Sequence, residues 1–210
     1  MMPLILRLKK ATHKEIAKAQ DIIVETMYEV FNDAVIHGGI AIWRCYNGNR
    51  FSEDIDVYLP RDIDRINKLF ELFEKKGFQI NKKKIGENSI YSSLSTNRVI
   101  VRFEALFKKV KGSLKEYEKA EGNFITAYTL TPEELIEEKI NTYLKRLKVR
   151  DLYDIFYLLR YTNKDILSIK LQKFLKEFKK PIDEKELKLL ILEGIVPSID
   201  EMISYIRRKF

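Results

Sequence analysis

The tetrapeptide Thr131-Pro132-Glu133-Glu134 divides this chain more sharply than any other feature. It joins an N-cap hydroxyl, a proline suited to the first helical position and two acids placed against the helix dipole, so a helix must start there. Upstream lie several segments of strand-like composition, and downstream every segment reads as helix. That order predicts an α/β (α+β) chain: a core with a mixed sheet over residues 1–130, then a helical C-terminal lobe over residues 131–210.

Within the first part, apolar residues Ile16, Ala19, Ile23, Met27, Val30 and Phe31 recur at helical spacing and predict a helix over 14–32, started by a Thr12/Glu15 capping box. Residues 40–46 and 54–59 read as two strands of a hairpin, entered through a His37-Gly38-Gly39 bend and joined across an Asn47-Gly48-Asn49 turn. Pro60 and Gly77 bracket a helix over 61–76. Further strands are expected at 78–80, 90–95, 99–107 and 125–130, with a looser charged stretch at 108–122. The span 99–107 is the plainest strand, because Val99, Val101 and Phe103 alternate with Ile100, Arg102 and Glu104. Beyond Thr131 the spacing predicts helices over 131–147, 150–161, 164–178, 184–193 and from 198 onward.

Composition narrows the setting. Apolar residues are 45% and charged residues 33% of 210, which is globular rather than disordered. Cys45 is the single cysteine, so no disulfide closes within the chain; in its apolar neighbourhood it is expected to be buried and inert. No apolar run reaches membrane-spanning length, and a cytoplasmic location is expected. A net charge of +8, from 39 basic and 31 acidic residues, suits an anionic partner, although intermixed Lys and Glu also suit an ordinary solvated surface.

The chemistry concentrates in residues 38–59, GGIAIWRCYNGNRFSEDIDVYL. Asp54 and Asp56 stand two apart on a predicted strand, which puts both carboxylates on one face, Cβ atoms about 7 Å apart. At about 6 Å and an effective dielectric near 20, two such charges repel by about 3 kcal/mol. A divalent cation with oxygen ligands relieves that repulsion; a solvent-facing acidic edge would not need one. Gly38 and Gly39 let the backbone approach an anion closely and point N–H groups at it, and they lie one hairpin before the acids. Arg50 and Ser52 add donors; Arg50 suits a phosphate and a salt bridge to the acids equally well. Glu104 is the candidate third carboxylate, with an ion pair to Arg102 as the competing reading. On the helix over 150–161, Arg150, Asp151 and Asp154 can share one polar face, which from spacing alone suits a surface ion pair.

These four separated motifs together resemble the AbiEii-type nucleotidyltransferase toxins of the DNA polymerase β-like superfamily: Gly38-Gly39, then Asp54-x-Asp56, then Lys139 in EEKIN, then Arg150-Asp151-x-x-Asp154 in RDLYD. The resemblance implies a polymerase β-like core and metal-dependent transfer of a nucleotide from a nucleoside triphosphate (NTP). It implies Mg²⁺ or Mn²⁺ on Asp54 and Asp56, and Gly38, Gly39 and Ser52 bordering the triphosphate. It further implies Lys139 on a phosphate, and Asp154 with Asp151 acting near the acceptor hydroxyl or orienting Lys139 and Arg150. Many superfamily members carry Ser where this chain has Gly39, so one hydroxyl contact is lost. RNA, tRNA in particular, or a protein is the implied acceptor, and a cognate antitoxin the implied partner. A small-molecule nucleotidyltransferase and a non-catalytic binding module are the two alternatives.

Overall fold

The computed structural model describes residues 2–96, 99–162 and 164–209. They fall into two compact units: one holds the residues up to Asn47 together with Phe51–Thr129, the other holds Gly48–Arg50 and everything from Leu130 on.

The first unit opens with a short helix α1 (Leu4–Arg7) and a long helix α2 (Ala11–Val30). The Thr12/Glu15 capping box does not form. Lys10 is the N-cap, without a side-chain bond, and Thr12 lies inside the helix and exposed. Then come β1 (Val35–His37), α3 (Gly38–Cys45), β2 (Ile55–Leu59), α4 (Ile63–Lys75) and five strands: β3 (Gln79–Ile85), β4 (Ser89–Thr96), β5 (Val99–Phe107), β6 (Ser113–Glu118) and β7 (Phe124–Thr129). All seven strands form one mixed sheet in the order β3-β4-β5-β2-β1-β7-β6. Strands β1 and β2 run antiparallel, while β2–β5 and β1–β7 are parallel.

Residues 40–46 read as a strand in the sequence, yet they form α3. The helix buries Ile40, Ala41, Ile42, Trp43 and Arg44 together, so it shows no polar face, and a short, wholly buried apolar run has no periodicity to separate helix from strand. The hairpin partner of β2 is instead β1, only three residues long. The looser stretch at 108–122 contains β6, whose sequence SLKEYE exposes Leu114, Lys115 and Glu116 in a row and so lacks an apolar alternation.

Helix α4 starts at Asp62, whose carboxylate accepts from the Arg65 N–H, and its chain leaves through Gly77 at φ +91°. Ile66, Leu69, Phe70 and Phe73 make its buried stripe, with Phe73 edge-on to Phe103 of β5 at 5.6 Å. Buried apolar positions of β2 and β5 (Ile55, Val57, Val101, Phe103, Ala105) leave Asp56, Arg102 and Glu104 on the other face of the sheet.

In the second unit, α5 (Pro132–Arg146) begins with Thr131 as N-cap in a complete capping box with Glu134. It ends at Leu147 in the left-handed region, φ 51°. Helix α6 (Val149–Leu158) packs on α5 and runs into a 3₁₀ turn over Leu159–Tyr161; α7 (Lys164–Glu177) packs on α5. The helix expected over 184–193 is a 3₁₀ turn (Glu184–Glu186) and a single turn α8 (Leu187–Leu190). Helix α9 (Ile199–Arg208), capped by Ser198, packs on α6. No described helix is long and apolar enough to cross a membrane.

Candidate functional site

Strand register assembles the candidate site of the first unit. His37 of β1 faces Asp56 of β2, Asp56 faces Glu104 of β5, and Glu104 faces Tyr91 of β4. Register partners share a face, so one row across four strands carries the two carboxylates side by side. Asp54 lies just before β2, where its carboxylate takes both arms of the Arg102 guanidinium at 2.6 and 2.5 Å. Burial pushes the Glu104 carboxyl up, and the negative charges of Asp56 and Asp54 push it further. Glu104 therefore senses both aspartates. The guanidinium of Arg102 thus lies on Asp54, although the alternation of β5 offers it to Glu104 as a partner.

The bend before α3 is what makes room for Asp56. Gly38 sits at φ +67°, and a Cβ there would lie 2.4 Å from Asp56 Oδ2. Only glycine fits, both for its backbone angle and for the closeness of the carboxylate. Gly38 and Gly39 also begin α3, so their N–H groups have no earlier turn of that helix to bond to. Ser52 is buried, and its carbonyl accepts from Gln20 Nε2 at 2.9 Å. His37 stacks on Tyr58 at 4.0 Å. Cys45, expected to be buried, is half-buried at the end of α3; desolvation still pushes its thiol up to about 12, which keeps it protonated at neutral pH.

Among the described residues, no group of three or more His, Cys, Asp and Glu side chains stands arranged to hold a metal ion. The donors nevertheless suit one. Asp54, Asp56 and Glu104 offer hard carboxylate oxygens, Gly38 leaves the approach to Asp56 open, and the repulsion felt at Glu104 is what a divalent cation would relieve. Asp54 would have to turn from Arg102, and both side chains of that pair are partly exposed, at 21% and 44%.

The second unit holds a buried network of alternating charge. Arg50 clamps Asp154 with two bonds of 2.8 Å. Lys139 Nζ lies 2.8 Å from Asp154 and 3.6 Å from Asp151. Arg146 then clamps Asp151 at 2.7 and 2.8 Å. Asp151 and Asp154 are fully buried, and Lys139 nearly so. Burial alone would raise the Asp154 carboxyl, but Arg50 and Lys139 beside it reverse that and hold it below the usual carboxylate range. Three cations surround two anions, so the network carries one net positive charge.

Helical spacing finds Asp151 and Asp154, the segment before the acids offers Arg50 and the resemblance adds Lys139, but the partners differ from those that spacing favours. The i,i+4 pair of Arg150 with Asp154 does not form: Arg150 takes no part, and Asp154 is held by Arg50 and Lys139. Lys139 is buried rather than a solvated surface lysine. Arg146 escapes the sequence reading; its one signal is its place in the last turn of α5, one turn ahead of Asp151 in the chain.

A family model for the nucleotidyl transferase AbiEii toxin of type IV toxin–antitoxin systems matches residues 25–202. A comparison with curated proteins gives no match. Among solved structures, JHP933 from Helicobacter pylori superposes with a TM-score of 0.65 at 18% identity, over 95% of this chain and 90% of that one. A candidate nucleotidyltransferase of H. pylori gives 0.63 at 18% identity, over 95% and 93%. At that identity the likeness shows the fold, a polymerase β-like nucleotidyltransferase core.

Proposed function

Because this chain belongs to the AbiEii family of nucleotidyltransferase toxins, we propose that it moves a nucleotide from an NTP onto an acceptor hydroxyl, with RNA, tRNA foremost, as the acceptor. The observation that carries the reading is Asp56 packed against the Gly38 bend with no room there for a side chain, and in register with Glu104 on the neighbouring strand. Asp54 and Asp56 would hold Mg²⁺ or Mn²⁺, with Glu104 as a third ligand. Bound there, a divalent ion supplies charge neutralisation at the phosphates and activation of the acceptor hydroxyl.

The chain's own residues do the rest. Gly38 and Gly39 offer N–H groups to the triphosphate at the start of α3, with Ser52 bordering it. Lys139 meets a phosphate, and the net positive charge of its network favours one there. Arg50, Asp151 and Asp154 act by holding Lys139 in place: Asp154 is ionised between two cations, which suits positioning better than proton transfer. The basic balance of +8 favours a nucleic-acid acceptor over a protein hydroxyl. In this reading the chain is a toxin with a cognate antitoxin, acting in the cytoplasm; the family's description as a type IV toxin–antitoxin toxin supports the toxin role.

The test is transfer from each labelled NTP to total RNA with Mg²⁺, comparing the wild-type chain with Asp54→Ala. Labelling by the wild type and none by the variant supports the proposal. Equal labelling by both, or labelling of protein alone, overturns it for RNA.

A further inference from the structure

A cavity of about 540 Å³ opens in the second unit, apart from the charge network but sharing α6 with it. Its floor is aromatic. Tyr153, Phe156 and Tyr157 stand at i, i+3 and i+4 on α6, and Tyr205 of α9 meets Phe156 edge-on at 5.0 Å. Tyr153 and Tyr157 are buried, while Phe156 and Tyr205 are half-buried and keep ring surface open. Two exposed arginines line the same cavity. The Arg160 guanidinium lies 4.0 Å over the Tyr157 ring, and Arg208 stands at the end of α9, followed by Lys209 near the Tyr205 ring.

Aromatic packing between two helices explains buried rings, but it leaves no reason for a cavity of this size with two guanidiniums on its wall. The volume is that of a small-ligand site. Flat π-faces, a guanidinium plane already stacked on a tyrosine, and cations at the mouth are the parts that hold a base with its phosphate. Two carboxylates, Glu193 and Glu201, also line the wall. Glu201 is bound to Ser198 as the α9 cap, and Glu193 can accept from a base amino group.

We propose that this cavity is a base-binding pocket for an unpaired nucleotide of a single-stranded RNA, with Phe156, Tyr205 and Arg160 stacking on the base and Arg208 meeting the backbone phosphate. The inference rests on the reading of the chain as a transferase with an RNA acceptor, and it gives the C-terminal helices a part in holding that acceptor. A base and its phosphate could also come from the NTP, and the test separates the two sources.

Fluorescence anisotropy with a labelled single-stranded RNA octamer, the full chain and EDTA reads binding without transfer. We expect about tenfold weaker binding for Arg160→Gln and for Tyr205→Leu, and a severalfold loss for Arg208→Gln. The arginines are exposed, so those variants keep the fold, checked by circular dichroism. Lys68→Gln with Lys75→Gln, exposed on α4, removes the same kind of charge elsewhere and should bind as the wild type. The proposal is overturned if the pocket variants bind like the wild type or a blunt RNA duplex binds as tightly. It is also overturned if an NTP displaces the octamer at matched concentration, which would give the pocket to the donor, or if polyglutamate does, which would leave charge alone. Asp54→Asn separates the two claims: it should lose transfer and keep octamer binding. Transfer by Asp54→Asn would sink the catalytic reading, and normal binding by the pocket variants would sink this one.

Discussion

Gly38 and Asp56 stand so close that a single methyl group at Gly38 would lie 2.4 Å from the Asp56 carboxylate. The backbone there is left-handed, at φ +67°, so both the angle and the space demand glycine.

Gly38→Ala should therefore lose nucleotide transfer and about 1–2 kcal/mol of stability, since an L-residue in that region carries that strain. Gly77 supplies the comparison: it sits at φ +91°, and a methyl group there would meet nothing within 4 Å. Gly77→Ala should cost similar stability and leave transfer intact. Thermal melts and the transfer assay on both variants decide whether the contact with Asp56, and not strain alone, matters.

Glu104 is raised by burial and by two neighbouring aspartates, so its ionised form costs stability. The sign follows from linkage: a carboxyl raised on folding contributes stability below its unfolded pKa and loses it as pH rises through the folded value. At pH 7 in EDTA, Glu104→Gln should melt about 1–2 °C higher than the wild type, a surface-scale effect. Added Mg²⁺ should raise the wild-type Tm more than that of the variant. A lower Tm for the variant in EDTA would show that the acids do not repel.

Asp154 lies between Arg50 and Lys139 and is fully buried. Asp154→Ala leaves two cations without their carboxylate and should cost about 3–5 kcal/mol in chemical denaturation. Arg146→Ala, at a partly exposed end of the network, should cost about 1 kcal/mol. Because the Asp154 carboxyl is held low, its stabilisation is present above the ordinary carboxylate range and is lost as pH falls through its folded value. The acid limb of the wild-type Tm curve should therefore be steeper below about pH 4 than that of Asp154→Asn.

Two threonines at predicted helix starts should behave oppositely. Thr131→Ala removes a formed capping box and should cost about 1 kcal/mol, or about 2–4 °C. Thr12→Ala touches no cap, lies exposed inside α2 and should be neutral or slightly stabilising. Equal losses at both positions would contradict the observed start of α2.

The sequence alone determined what rests on local chemistry. The start of α5 at Thr131 was legible because an N-cap hydroxyl, a first-position proline and two acids lie within four residues, and β5 because Val99, Val101 and Phe103 alternate. The aspartate pair and the glycines ahead of it were legible as a motif, but not that Asp54 would lie before β2 and on Arg102. Only the tertiary structure decided the rest. Helix α3 was hidden because burial on every side erases the polar face that marks a helix. Arg50 and Asp154 are 104 positions apart, and Arg102 and Asp54 are 48 apart. Which cation meets which carboxylate is set by chain closure over those distances, while i,i+4 spacing ranks only near neighbours and so favoured Arg150 over the arginines that arrive.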